Sequence, residues 1–291
     1  MPRDELRGRI ADQFSYREGR SDVWRAFDLF LDTDAFLNLG YSAWYQPHLL
    51  GSSQRRLVDR VGSALASRLP CTAGVPLLDV GCGRGGPSVH LAERYGFRVA
   101  GVDLVPYNVA RARANAAERG ADAEFVVADA TRLPIRPGSV AAAVSIDALV
   151  YLPEKDAVFE ALSAALSRPG VAVFSDLVAR PSTTDRERRR LDRFADAWDM
   201  PPLSTLAGYE RALVGAGFSV RAVTDVTPNS VGRFRRWTTL YLGLSAGPAG
   251  PLLDRLLREY GLDPPTMDGQ IRAAHEALPS LRHVIVVAEV R

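Results

Sequence analysis

From about residue 75 onward, short apolar runs alternate with longer amphipathic stretches. The runs fall at 75–80, 98–102, 123–127, 140–146, 170–174 and 218–226, and each is nearly continuous in apolar residues. Strands covered on both faces show that composition. Between them, 87–95, 105–119, 155–166 and 206–216 carry helical spacing. Strands alternating with helices predict an α/β fold built on a doubly wound parallel sheet.

The flanking regions differ. Residues 4–68 read as helices broken by a turn-rich patch at Asn38-Leu39-Gly40-Tyr41. Asp22 is a plausible N-cap for a helix over 23–31, and helical spacing resumes over 52–69. Residues 228–282 are rich in Arg, Pro and Gly and precede a last apolar run, 283–290. The expected division is therefore 1–70 as a helical lid, 71–227 as a core, 228–282 as a substrate-capping insertion and 283–291 as the closing strand.

Composition narrows the class. The chain has 291 residues, 47% of them hydrophobic, and its 36 basic against 34 acidic residues leave a net charge of +2. No whole-chain basic footprint points to nucleic acid, and no run approaches the ~18 apolar residues of a membrane span. Met1 to Tyr16 lacks the apolar core of a signal peptide. Two cysteines, one inside a glycine loop, argue against a disulfide framework. A soluble cytoplasmic protein is expected. The run Arg186-Glu187-Arg188-Arg189-Arg190 reads as a solvated helix face.

The chemistry concentrates in Leu77-Leu78-Asp79-Val80-Gly81-Cys82-Gly83-Arg84-Gly85-Gly86, where a strand enters a glycine-rich turn and then a helix. Gly81, Gly83 and Gly86 satisfy G-x-G-x-x-G, and Asp103 follows about 20 residues on, as in a dinucleotide-binding turn. Asp79, however, sets a carboxylate at the mouth of the turn, where it would repel pyrophosphate and suit an ammonium group. Asp129 adds another acid at the end of the third strand, and Arg168-Pro169-Gly170 leads into the fifth.

This constellation resembles class I S-adenosylmethionine-dependent methyltransferases of the small-molecule, natural-product type, over roughly 75–226 plus the closing strand. The resemblance implies a seven-stranded Rossmann-like sheet whose last strand is antiparallel. It also implies S-adenosylmethionine as cofactor and S-adenosylhomocysteine as product. By the same resemblance Asp79 faces the methionine end, Asp103 with Leu104 holds the ribose, and Asp129 with Ala130 holds the adenine. Gly81, Cys82, Gly83 and Ile146 complete that set. Asn38 to Tyr41 resembles a lid element whose aromatic, here Tyr41, covers the methionine part, and Gln54 matches a glutamine often found there. Ser42 stands where the family often has tryptophan.

The methyl acceptor is expected to be a small molecule, with oxygen favoured over carbon, and no metal is expected. The family's common histidine after the fourth strand is missing, which leaves Asp147, Tyr151, His48 and His275 as alternative bases. Trp44, Asp176, Trp198, Arg236 and Trp237 are candidates for the substrate wall, although Arg233 to Trp237 also reads as a helix with basic solvent-facing residues. His90 and His283 read as structural. Tyr151 and Lys155 share the Tyr-x-x-x-Lys spacing of short-chain dehydrogenases. Pro153 between them disfavours one helix through both, and the lysine is expected at the surface. Other readings are a non-methylating cyclisation or decarboxylation on the same fold, methylation coupled to cyclisation, a catalytically silent partner subunit and, remotely, an NAD(P)-dependent oxidoreductase. Oligomeric state is open.

Overall fold

A computed structural model describes residues 3–15, 23, 26, 29, 33, 35–181 and 184–290. Among these, seven strands form one sheet: β1 (Pro76–Val80), β2 (Arg98–Asp103), β3 (Ala123–Val127), β4 (Val140–Ile146), β5 (Leu166–Ala179), β6 (Ser219–Asp225) and β7 (Leu281–Val290). Their order is β3-β2-β1-β4-β5-β7-β6. β1 to β5 pair in parallel, and β7 runs antiparallel between β5 and β6. Strand order reverses between β2-β1 and β4-β5. At such a switch point, outside the carboxyl ends of the strands, open α/β sheets bind ligands.

Ten consecutive residues of β5, Gly170 to Ala179, pair with β7. This is the main departure from the expected strand, which ended at Phe174. β5 alternates between two buried faces. Phe174 and Val178 pack in the cluster with Phe159, Tyr209 and Phe218, while Leu177 and Ala179 join the opposite cluster. The aromatic group is tightly built, with the Phe159 and Tyr209 ring centroids 5.2 Å apart, a separation that favours edge-to-face contact.

Helices α1 (Arg3–Phe14) and α2 (Leu50–Ala66) precede the sheet. Crossover helices α3 (Gly86–Tyr95), α4 (Pro106–Arg119) and α5 (Lys155–Ala165) join β1 to β5. α6 (Asp185–Ala197) and α7 (Leu206–Gly215) follow β5. α8 (Val231–Ser245), α9 (Gly250–Glu259) and α10 (Pro264–Ala277) lie between β6 and β7. Asp22 and most of 23–31 lie outside the described residues.

One apolar cluster joins Ile10 and Phe14 of α1, Phe194 of α6, Phe234 of α8, Leu257 of α9 and Ile271 of α10. The cap over the sheet thus combines the N-terminal region, the insertion and, unexpectedly, the stretch after β5. α6 begins with a capping box in which Thr184 and Glu187 satisfy each other's backbone amides, an arrangement that gives orphan N–H donors at a helix start their acceptors. Its arginines at 186, 188 and 189 are solvent-exposed, as expected.

Candidate active site

The glycine loop owes its shape to packing as well as to φ. Gly81 has φ +74, and a Cβ there would lie 2.3 Å from the Cβ of Ala148. Only glycine combines that backbone with that closeness. Gly83 (φ +54) sits under Leu37, and its N–H donates to Oδ2 of Asp103 at 2.9 Å. Asp103 also accepts from the Val105 amide at 2.9 Å and from Asn108 Nδ2 at 3.2 Å. Burial raises its pKa against those three bonds.

A crevice of about 110 Å³ opens here, walled by Gly81, Gly83, Asp103, Leu104, Asp129, Ala130 and Ile146. Seven of the expected cofactor positions therefore converge. Roofing them are Ile10, Phe14 and Leu37, with Asp147, Tyr151 and Glu154 at one end. Asp129 is held in a turn, its Oδ1 accepting from the Thr131 amide and hydroxyl, both at 2.9 Å.

The remaining cofactor candidates stand elsewhere. Asp79 is buried behind the loop, where Ser88 Oγ donates to it at 2.5 Å, and burial pushes its pKa up to about 7. Cys82 turns inward among Val89, Val109 and Phe125, and Cys71 is exposed, so the two cysteines are free. Gln54 is fully buried and donates to the carbonyls of Phe36 (3.1 Å) and Asn38 (2.8 Å). It fixes the lid loop instead of facing the crevice. Tyr41 packs by α2 with the Arg60 guanidinium 5.1 Å over its ring, so Leu37 roofs the crevice in its place. Trp44 is 84% exposed. The buried Ser42 turns its hydroxyl to His48 and Arg56.

Electrostatics decide the ligand class. Among the described residues lining the crevice, Asp103, Asp129, Asp147 and Glu154 carry carboxylates and none is basic. Such a wall repels pyrophosphate and favours a cationic ligand. Neighbouring acids at the ends of β2 and β3 offer acceptors for hydroxyls and an exocyclic amine, with Leu104, Ala130 and Ile146 as apolar flanks. These residues fit S-adenosylmethionine and do not fit a dinucleotide.

Asp147 occupies the junction between this crevice and a smaller apolar chamber of about 40 Å³. Its backbone has φ +55, a region that Asp tolerates better than most residues. Oδ1 accepts from Ser175 Oγ at 2.6 Å and pairs with His283 Nε2 at 2.9 Å, while Oδ2 accepts from the Leu39 amide at 2.9 Å. Burial alone would raise this carboxyl. The charge and hydrogen bond of His283, with Ser175 and Leu39, together hold it below the ordinary aspartate value. His283 is fully buried, and its Nδ1 meets Ser230 Oγ at 2.5 Å.

Tyr151 borders both spaces, and its ring packs edge-on to Phe14 with centroids 5.2 Å apart. Trp198 lines the chamber and donates Nε1–H to the Gln270 carbonyl at 3.1 Å. Other candidates do not reach it. His48 lies by the lid with its pKa pushed down to about 4, by burial first and then by Arg56 and Arg233. His275 turns to Thr238 Oγ1 at 2.8 Å, and Arg236 is exposed. Trp237 donates to the His48 carbonyl at 2.8 Å and borders a separate groove.

Asp176 points through the opposite face of β5, since it alternates with Ser175 and Leu177. There burial pushes its pKa up to about 7, partly offset by Lys155. Lys155 corrects a second expectation. It is 8% exposed, donates to the Leu152 carbonyl at 2.9 Å, and has its pKa lowered by burial.

Residues 77–170 match the family described as a methyltransferase domain. The O-methyltransferase resE of Aspergillus sclerotiorum is 28% identical over 220 residues, covering 72% of this chain and 80% of that protein. The chain carries a methyltransferase domain of the S-adenosylmethionine-dependent type. The methyltransferase shares its fold with geranyl diphosphate C-methyltransferase from Streptomyces coelicolor A3(2), at TM-score 0.74 and 18% identity over 100% of both chains. It also shares it with the [4+2]-cyclase SpnF, at TM-score 0.66 and 21% identity over 92% of this chain and 95% of that one. At these identities the likeness is one of fold.

Sequence reasoning missed several residues of the methyltransferase's site. Ile10, Phe14 and Leu37 roof the crevice, and Phe194, Met200, Phe234, Ala274 and Leu278 wall the chamber. All are apolar residues at ordinary helical or loop positions and carry no chemical signature. Among the described residues no group of His, Cys, Asp and Glu is arranged to hold a metal ion, and no helix is long and apolar enough to cross a membrane.

Proposed function

We propose that the protein methylates a hydroxyl of a small natural-product-type molecule, with the acceptor oxygen entering from the apolar chamber beside Asp147 and Tyr151. Asp103 with Leu104 would hold the ribose, and Asp129 with Ala130 the adenine. Asp79, as an anion, would face the ammonium group from behind the loop. S-adenosylmethionine supplies an electrophilic methyl group on a sulfonium. The protein's task is then to align the nucleophile and exclude water.

The observation that carries this reading is the position of Asp147. Its carboxylate reaches both spaces, and three donors fix its orientation. A carboxylate has room for about four donors, so an acceptor hydroxyl would find one place left. Held below its usual pKa, Asp147 is a weak base. It suits an acidic hydroxyl such as a phenol or enol, which ionises with little help. The 28%-identical O-methyltransferase supports oxygen as the acceptor. Lid, core and insertion divide as 1–70, 71–227 with 283–291, and 228–282 in this reading, and the reaction is placed in the cytoplasm.

The test is incubation with methyl-labelled S-adenosylmethionine and a panel of phenols, enols and carbon acids. Label recovered as a methyl ether supports the proposal, and label recovered only on carbon overturns the choice of oxygen. One observation favours a second reading: no histidine lines the crevice or the chamber among the described residues. A base-free reaction, such as a cyclisation that leaves the cofactor intact, would meet that condition. Product formation without S-adenosylhomocysteine would establish it.

A further inference from the structure

The chamber beside Asp147 is small. Its volume of about 40 Å³ is room for a few water-sized groups, so any acceptor of natural-product size must extend beyond it. One wall is Phe234, 5% exposed, which is also a wall of a groove of about 200 Å³ between α8, α9 and α10. The groove is lined by Leu240, Leu244, Leu253, Leu256, Met267 and Ile271. Its three polar side chains turn their polar atoms away: Trp237 Nε1 donates to the His48 carbonyl at 2.8 Å, Thr238 Oγ1 to the Arg235 carbonyl at 2.9 Å, and the Tyr241 hydroxyl is buried beside Asp268. What they leave facing the groove is hydrocarbon. Its rim keeps Leu240 55%, Leu244 47% and Leu256 40% exposed, and exposed apolar surface of this kind marks a binding region.

We propose that this groove binds the apolar tail of the methyl acceptor, with Phe234 as the partition between the reacting head in the chamber and the tail. This rests on the small-molecule reading above and adds a substrate class: amphiphilic acceptors with a compact hydroxyl-bearing head and an extended hydrocarbon part. The occupant is argued from continuity, because Phe234 borders both the groove and the chamber, and from volume, because the chamber alone is too small.

The probes are 4-alkylphenols from ethyl to nonyl, titrated calorimetrically into the protein with S-adenosylhomocysteine present. Affinity should rise roughly threefold for each methylene that enters the groove. In Leu256→Arg, which places a charge at the half-exposed rim and leaves the core alone, that rise should flatten while S-adenosylhomocysteine affinity stays within about twofold. Phe234→Ala should strengthen binding of the longer members relative to the shorter ones. A flat series in the wild-type protein with normal S-adenosylhomocysteine binding overturns the groove proposal alone. Failure to bind S-adenosylhomocysteine overturns the cofactor-site reading beneath it. Sedimentation that shows a wild-type dimer and a monomeric Leu256→Arg variant would assign the groove to a second copy of this chain and overturn the proposal.

Discussion

The backbone N–H of Leu39 donates to Oδ2 of Asp147 at 2.9 Å, so the loop beside the crevice roof is fastened to the end of β4. The same carboxylate meets Ser175 on β5 and His283 on β7. Asp147→Ala would strand a buried amide, hydroxyl and imidazole together. The expected loss is about 3 kcal/mol in denaturant unfolding, with weaker S-adenosylhomocysteine binding as the loop loosens. Unchanged stability would show that the network contributes nothing net.

Asp147 also imposes a pH dependence. Its folded pKa lies below its unfolded value of 3.8, so its contribution is complete above about pH 4 and is lost as pH falls through the folded value. Asp147→Asn should therefore narrow the stability difference from wild type as pH drops below about 4. A difference that stays constant down to acid pH would refute the assignment.

Asp176 behaves in the opposite sense. Its pKa is raised to about 7, with Lys155, Asp147 and His283 as the charged groups around it. For a carboxyl raised on folding, stability falls as pH climbs from the unfolded value near 4 to the folded value near 7. Asp176→Asn should be more stabilising at pH 8 than at pH 5, by about 2–3 kcal/mol. Equal effects at the two pH values, in thermal or urea melts, would contradict a buried acid that resists ionisation.

Asp79 couples the same physics to the ligand. With a pKa of about 7 it is protonated in much of the free protein at pH 6, whereas a bound ammonium group favours the anion. Cofactor affinity should rise with pH through 7, and binding at pH 6 should release a proton. Calorimetry in two buffers of different ionisation enthalpy reads that proton directly. Asp79→Asn should abolish the release, and the same release in the variant would place the proton elsewhere.

At Gly81 the added Cβ of alanine would meet Ala148 at 2.3 Å on a backbone of φ +74. Gly81→Ala should cost about 1–3 kcal/mol and weaken S-adenosylhomocysteine binding. Ala148→Gly on top should recover the steric part and leave the backbone part. No recovery would mean that backbone conformation alone sets the cost.

The sheet was legible because strands buried on both faces are apolar runs bounded by turns, as at β1 and β4. β5 was read short because Asp176 resembles a terminator, whereas it is buried within a strand that continues to Ala179. The crevice acids were legible as well, since Asp103 and Asp129 sit where strands end and cannot pack as core residues do. The lid was legible as a location and not as an orientation. Asn38 to Tyr41 marked the loop, yet which side chain faces inward depends on bonds such as Gln54 to the Phe36 carbonyl, which no local pattern encodes. Asp147 and His283 meet across 136 residues of separation, and the chamber wall gathers Phe194, Phe234 and Ala274 from three distant helices. Ordinary apolar residues brought together by tertiary packing leave no trace in spacing.

Calorimetric titration with S-adenosylhomocysteine of the wild-type protein beside Asp103→Ala tests the account most directly, with a thermal melt to confirm that the variant is folded. Micromolar binding by the wild type, weakened about tenfold or more in the folded variant as hydrogen bonds to a charged group are lost, is the predicted result. Equal binding by the two proteins, or none by the wild type at millimolar ligand, would contradict the assignment of the crevice to the cofactor.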